Sequence, residues 1–130
     1  MKTKLPLIVG AMIILIAIVI GIQRWMYTQS TSALTSFADC LTTKGAIMYG
    51  TWWCPHCKNQ KDLFGKSFDH VRYVECAPTG NPNMRAQACI DAKIEGYPTW
   101  IFADGSRRER EMTLDELREK TQCALPTEQK

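Results

Sequence analysis

Hydrophobicity is distributed very unevenly along the chain. From Leu5 to Ile22 every residue is apolar or small and none is charged. A run of about 18 such residues has the length a helix needs to cross a bilayer core. Gln29-Ser30-Thr31-Ser32 then reads as the end of a polar linker over residues 23–32. Leu34, Phe37, Ala38 and Leu41 follow at helical spacing, and Lys44-Gly45 closes the helix they predict. Ala46 to Gly50 is a short apolar run of the kind a buried strand shows. Pro55 suits a first helical turn, where its missing N–H is not needed, so a helix is expected from Pro55 to Gly65. Val71 to Cys76 alternates β-branched and aromatic residues as a second strand does.

Pro78 to Pro82 is a turn-rich loop, and a helix is expected from Asn83 to Ile94, stopped by Gly96-Tyr97-Pro98. Thr99 to Phe102 reads as a third strand, and Asp104-Gly105 is a hairpin turn. Ser106 to Glu111 has the alternating charges of an edge strand. Thr113-Leu114-Asp115-Glu116 is a capping box that opens a last helix ending near Cys123. The order is helix, β-α-β, helix, β-β, helix. It predicts an α/β domain with a small central mixed sheet flanked by helices. The expected organisation is a cytoplasmic N-terminus at 1–4, a transmembrane anchor at 5–22, a linker at 23–32, one domain at 33–125 and a tail at 126–130.

Charge adds a direction to this layout. The chain carries 16 basic and 13 acidic residues. Lys2, Lys4 and Arg24 lie in or beside the apolar segment, so the rest of the chain is close to neutral. A neutral domain has no basic footprint for nucleic acid, and that class of partner is set aside. Lys2 and Lys4 precede the apolar run and only Arg24 closely follows it. The positive-inside bias therefore expects a single-pass cell-membrane protein with a cytoplasmic N-terminus and an extracytoplasmic (periplasmic) domain. Trp25 and Tyr27 suit an interfacial aromatic anchor. The rival reading is a cleaved leader ending in the small residues Ser30 to Ala33, although a leader's apolar core is usually shorter. Six cysteines in so small a domain also favour an oxidising compartment.

The candidate chemistry is Cys54-Pro55-His56-Cys57. A Cys-x-x-Cys that opens a helix after a strand puts its first thiol at the helix N-terminus, where unpaired N–H groups and the macrodipole favour an anion. The thiolate is the attacking species, so Cys54 is read as nucleophile and Cys57 as the thiol that resolves the mixed disulfide. Such a pair needs no added cofactor. A partly positive His56 stabilises the Cys54 thiolate and hence the reduced form, which makes the pair a better oxidant. Zinc is the structural alternative, but it requires about four ligands. No second Cys-x-x-Cys is present and His70 is not at zinc-finger spacing, so no metal is expected. Trp53 is read as part of a hydrophobic substrate rim together with Trp52, while Phe37, Trp100 and Phe102 are read as core. His70 and the charges from Arg107 to Glu111 are read as solvated.

These features together resemble the thioredoxin superfamily. More closely, they resemble the thioredoxin-like domain that is fused to, or partners, bacterial homologues of vitamin K epoxide reductase. The residues that carry the resemblance are Phe37-Ala38-Asp39-Cys40-Leu41, Met48-Tyr49-Gly50, Trp53-Cys54-Pro55-His56-Cys57, Tyr73-Val74-Glu75-Cys76 and Gly96-Tyr97-Pro98-Thr99-Trp100. They span about residues 33–123. The resemblance implies a thioredoxin-like fold and a cis-proline at Pro98. That bond would bring the Tyr97 backbone beside Cys54, where it can bind an extended substrate chain. Trp53 gains support as a substrate contact. The Pro-His pair is also that of the DsbA family, whose potential of about −120 mV is far more oxidising than the roughly −270 mV of thioredoxin. One departure is informative. Thioredoxins bury an acid six residues before the first cysteine to take the resolving thiol's proton, and here that position is Met48.

With Cys54 and Cys57 paired, the remaining four cysteines allow three connectivities. Cys76 and Cys89 flank a turn-rich loop, and Cys40 and Cys123 close the first and last helices. The favoured structural bridges are Cys76–Cys89 and Cys40–Cys123, which the resemblance also suggests; a redox-active Cys76–Cys89 pair is the sharper alternative. The expected activity is disulfide donation to exported protein thiols. The resemblance implies reoxidation by a quinone-linked, vitamin K epoxide reductase-like membrane protein. Two other functions remain open at this point. One is an anchored disulfide reductase of the cytochrome c maturation type, and the other is a non-catalytic, disulfide-stabilised binding module.

Overall fold

A computed structural model describes residues 4–126. Residues 1–3 of the expected cytoplasmic end and residues 127–130 of the tail lie outside the described residues. The first element, α1, runs from Lys4 to Thr43. Its Ile8–Tyr27 stretch has a mean hydropathy of 2.2 with none of it buried, and it is long and apolar enough to cross a membrane. At about 1.5 Å per residue it matches the thickness of a bilayer core.

Where the sequence predicts a linker at 23–32 and a new helix after it, the backbone stays helical throughout. The physical reason lies in what the polar stretch lacks. Gln29 to Ser32 contain neither glycine nor proline. Ser and Thr each cost a helix only a few tenths of a kcal/mol, too little to stop one supported on both sides.

The remaining elements are β1 (Ile47–Gly50), α2 (Pro55–Phe64), β2 (Tyr73–Glu75), α3 (Gln87–Asp91), β3 (Thr99–Ile101), β4 (Arg107–Arg108) and α4 (Leu114–Thr121). The sheet order is β2-β1-β3-β4. β1 and β2 are parallel, joined through α2, with Met48 opposite Tyr73 and Gly50 opposite Glu75. β3 lies antiparallel to β1 and to β4. This mixed sheet with helices on its faces is a thioredoxin-like fold.

Alternation along the strands divides the core in two. Met48 and Trp100 face a cluster containing Phe37, Ala38 and Leu41 of α1, Phe64, Phe102, Leu117 and the thiols of Cys54 and Cys57. Tyr49 faces a smaller cluster with Cys76, Cys89 and Ile94. The end of α1 is also tied down by polar groups. The Thr42 hydroxyl donates to the His70 carbonyl at 2.8 Å and accepts from the Arg72 N–H at 2.9 Å.

Three segments differ from their sequence pattern. The helix expected from Asn83 to Ile94 is reduced to Gln87–Asp91. Asn81 accepts the Asn83 N–H in a turn, and the Ala86 N–H pairs with the Cys76 carbonyl, so the chain is held extended until residue 87. A 3-10 turn over Gly65–His70, unmarked in the pattern, follows α2. The charged edge is a two-residue strand, and its side chains are engaged. Arg107 donates to the Ala92 and Lys93 carbonyls past the end of α3, and Arg110 pairs with Glu116 at 2.8 Å. His70 is also partnered, with Nδ1 2.9 Å from Asp39 Oδ1. The capping box of α4 forms in both directions between Thr113 and Glu116.

Candidate active site

β1 is buried and ends at Gly50, so the chain leaves the sheet within one turn of the α2 N-terminus. Cys54 is the N-cap of α2 with extended backbone, and Pro55 occupies the first helical turn. The unpaired N–H groups of that turn surround the Cys54 position. The Cys54 thiol donates to the Tyr97 carbonyl at 3.6 Å. The Tyr97–Pro98 peptide is cis. Cys54 is 6% exposed and Cys57 1%. Only the first thiol is therefore positioned to meet an incoming sulfur.

Cys57 is held neutral by its surroundings. Burial pushes its thiol up to about 12; a hydrogen bond from the Thr51 backbone opposes the shift and Cys54 adds to it. The space for its sulfur comes from Gly50. A Cβ built there would lie 2.8 Å from Cys57 Sγ and 3.1 Å from the Tyr73 ring. Glycine is required by close approach at this position, rather than by an unusual backbone angle.

Polar groups that the sequence did not single out surround the pair. His56 Nδ1 lies 2.6 Å from Glu111 Oε1, and Asn59 donates to the same oxygen at 3.3 Å. His56 and Asn59 hold the Glu111 carboxyl below the usual carboxylate range. Gln60 is fully buried and clamps α2 to the segment before α4. It donates to the Met112 carbonyl at 2.9 Å and accepts from the Met112 N–H at 2.7 Å and the Trp100 indole at 3.3 Å. On the other side, the Tyr73 hydroxyl donates to Glu75 Oε2 at 2.7 Å. Glu75 Oε1 accepts from the Trp52 N–H at 3.2 Å and the Ala77 N–H at 3.0 Å. Burial and the Glu75 carboxylate together push the Tyr73 phenol above its ordinary value.

The mouth of the site is aromatic. Trp53 is 45% exposed and packs edge-on against Tyr97, with ring centroids 6.1 Å apart. Trp52 beside it is also exposed. The other four cysteines are bridged away from this mouth. Cys40 of α1 bonds Cys123 with Cα atoms 5.9 Å apart, and Cys76 bonds Cys89 with Cα atoms 5.7 Å apart. Cys54 and Cys57 are the free cysteines. Among the described residues no group of three or more His, Cys, Asp or Glu side chains converges as a metal site would.

Of the residues that the sequence singled out, the structure brings Trp53, Cys54, Pro55, His56, Cys57, Tyr97 and Pro98 together at the start of α2 and bridges the other four cysteines elsewhere. Beside them lie Glu111, Gln60 and the Tyr73–Glu75 pair, which the sequence did not single out. Glu111 looked like one of several alternating edge charges. Gln60 carried a usable signal, a polar residue one helical turn after Cys57 on the face that α2 buries.

This arrangement can exchange a disulfide through Cys54 and store or release it through Cys57. No family model matches the chain. Over 101 residues the chain is 41% identical to the thiol-disulfide oxidoreductase LTO1 of Arabidopsis thaliana, in an alignment that takes in 75% of this chain and 27% of that protein. The chain thus spans about a quarter of the length of the curated relative it matches.

Proposed function

We propose that the chain is a membrane-anchored thiol–disulfide oxidoreductase that works outside the cytoplasm and donates disulfides to exported protein thiols. The observation that carries this reading is the pair Cys54–Cys57 at the α2 N-terminus, with the Cys54 sulfur against the Tyr97 carbonyl. Similarity to a thiol-disulfide oxidoreductase supports it independently. In the oxidised state, a substrate thiolate attacks Cys54 Sγ, the Cys54–Cys57 bond breaks, and Cys57 leaves with the electron pair. A second substrate thiolate then attacks the substrate sulfur of the mixed disulfide, and Cys54 leaves. Two electrons pass from substrate to the pair, and the substrate carries away the new disulfide. Trp53 and Tyr97 offer an apolar seat for the residues flanking the substrate cysteine.

Donation rather than reduction is favoured by two residues. His56 at the helix N-terminus favours the reduced pair, and the buried apolar Met48 occupies the position of thioredoxin's acid. Reoxidation is assigned to a quinone-linked, vitamin K epoxide reductase-like protein in the same membrane, on the strength of the family resemblance. The apolar stretch Ile8–Tyr27 would hold the two in one plane and raise their effective concentration without tight affinity. The flanking charges orient the domain outward.

The test is trapping by cysteine variants in intact cells. Cys57→Ser should accumulate mixed disulfides through Cys54, and Cys54→Ser should accumulate almost none. Equal, negligible trapping by both variants would overturn the enzymatic reading. The state of the wild-type pair in cells sets the direction: mostly oxidised for a donor, mostly reduced for a reductase.

A further inference from the structure

Disulfide exchange at this site requires a proton to move. When the pair is reoxidised, Cys57 must lose its proton before it attacks the mixed disulfide on Cys54. That thiol is buried and resists ionisation, so attack requires a base close to it. Met48, two residues before Gly50 on the same strand face, is apolar and fully buried, and offers none. The gap kept open by Gly50 is shared. Seen from a Cβ at Gly50, Cys57 Sγ is 2.8 Å away and the Tyr73 hydroxyl 3.3 Å. The hydroxyl and the thiol thus border one small space, across which a single water could join them. On its far side the same hydroxyl is already committed to Glu75 Oε2 at 2.7 Å.

We propose that Tyr73 and Glu75 form the proton relay of Cys57, with Glu75 as terminal base and the Tyr73 hydroxyl as the bridge. The proposal rests on the thiol–disulfide reading above. As Cys57 Sγ bonds to Cys54 Sγ, the bond from Cys54 to the departing sulfur breaks and that sulfur leaves as thiolate. The Cys57 proton passes to the Tyr73 oxygen while the Tyr73 proton passes to Glu75. The phenol stays neutral throughout, as its raised ionisation demands. When a substrate thiol attacks the oxidised pair, the proton it loses supplies Glu75, and the leaving Cys57 is protonated through Tyr73 by the reverse path. The other charged groups acting here do not compete for the proton. Lys61 sits with Nζ 3.9 Å above the Tyr73 ring, a cation that favours the transient Cys57 thiolate. Cys54 is engaged in the mixed disulfide. The two backbone N–H groups on Glu75 Oε1 fix the carboxylate and leave Oε2 to Tyr73.

The experiment uses the full chain in detergent, reduced, and mixed with excess 5,5′-dithiobis(2-nitrobenzoate) in a stopped-flow instrument. The first equivalent of coloured thiolate reports attack by Cys54, and the second reports attack by Cys57. Tyr73→Phe and Glu75→Gln, both close in shape to the originals, should slow the second phase by about tenfold or more and leave the first within about twofold. In the wild type the second rate should depend only weakly on pH between about pH 6 and about pH 8, because the proton leaves to a base within the site rather than to solvent. In the variants it should rise about tenfold per pH unit, tracking the thiolate fraction of an unassisted buried thiol. Unchanged second phases, or equal slowing of both phases, would overturn the relay. If Tyr73→Phe fails to fold, Glu75→Gln alone decides. The two readings fail differently. A wild-type chain whose release is insensitive to Cys57→Ser sinks disulfide exchange itself, whereas a biphasic wild type with unaltered variants sinks only the relay.

Discussion

His56 and Glu111 are 55 residues apart in the chain and 2.6 Å apart in space. The contact joins the redox motif to the segment between β4 and α4. It puts a carboxylate against the imidazole of the redox motif. His56→Ala should lower the reduction potential of the pair by about 30 mV or more, the direction expected when a thiolate loses a cationic neighbour. Glu111→Gln should act in the same direction and by less, because it removes the carboxylate that partners the ring. Equilibration with glutathione buffers reads both. Unchanged potentials in the two variants would remove His56 from the tuning of the site.

Gly50→Ala tests packing at the heart of the site. The added methyl meets the sulfur of Cys57, which belongs to the buried core, and the ring of Tyr73, which packs against it. Overpacking of this kind costs about 1–3 kcal/mol. The variant should melt lower and should exchange disulfides more slowly at Cys57 than at Cys54. A variant with wild-type melting and kinetics would show that the Gly50 gap is not needed.

Acid should loosen α4 first. Glu116 is held near 2, most strongly by Arg110, against an ordinary value of 4.5. A carboxylate lowered on folding stabilises the fold above its unfolded value. That contribution is complete above about pH 4.5 and is lost as the pH falls toward about 2. Hydrogen exchange of the Glu116 and Leu117 amides between these limits should rise ahead of that of β1.

Alkali should separate the two redox states. In the reduced chain the Cys57 thiol is raised from 9.0 to about 12. A group raised on folding stabilises the fold below its unfolded value. The contribution is complete below about pH 9 and is lost as the pH climbs toward about 12. The oxidised chain has no such thiol. Paired melts should therefore show the reduced form losing stability faster over this range, and parallel curves would contradict the buried, neutral Cys57.

The two bridges should differ in worth. Cys40–Cys123 closes a separation of 83 residues and Cys76–Cys89 one of 13. Loop-closure entropy gives about 4–5 kcal/mol for the first and about 3 kcal/mol for the second. Replacing both cysteines of a pair by alanine, in separate chains, should lower the melting temperature more for the longer loop.

The parts of this molecule that were legible in the sequence are those whose causes are local. Alternation marked β2, the apolar run marked β1, and Thr113 with Glu116 marked the start of α4. The Cys-Pro-His-Cys cluster declared its helix position through Pro55. Cis-proline geometry at Pro98 came from the family resemblance, not from local chemistry. What escaped depends on distant partners. Glu111 is an ordinary edge charge until the fold sets it beside His56. Tyr73 and Glu75 look like strand residues until β2 pairs with β1 and brings them beside the Gly50 gap. The short α3 escaped for a related reason, because a backbone bond from Ala86 to Cys76 overrides helical preference before residue 87. The continuous α1 is the opposite case, since a polar stretch reads as a linker yet contains no residue that breaks a helix.

The bridge between Cys40 and Cys123 has a topological consequence. Cys40 lies near the C-terminal end of α1, and Cys123 lies just after α4, close to the last described residue. The redox site therefore sits on a covalent ring whose seam is at the helix that carries the apolar stretch. A protease that cuts once anywhere between these two cysteines nicks the ring without releasing a fragment. The two pieces stay joined until the bridge is reduced, so a nicked chain comes apart only under reducing conditions.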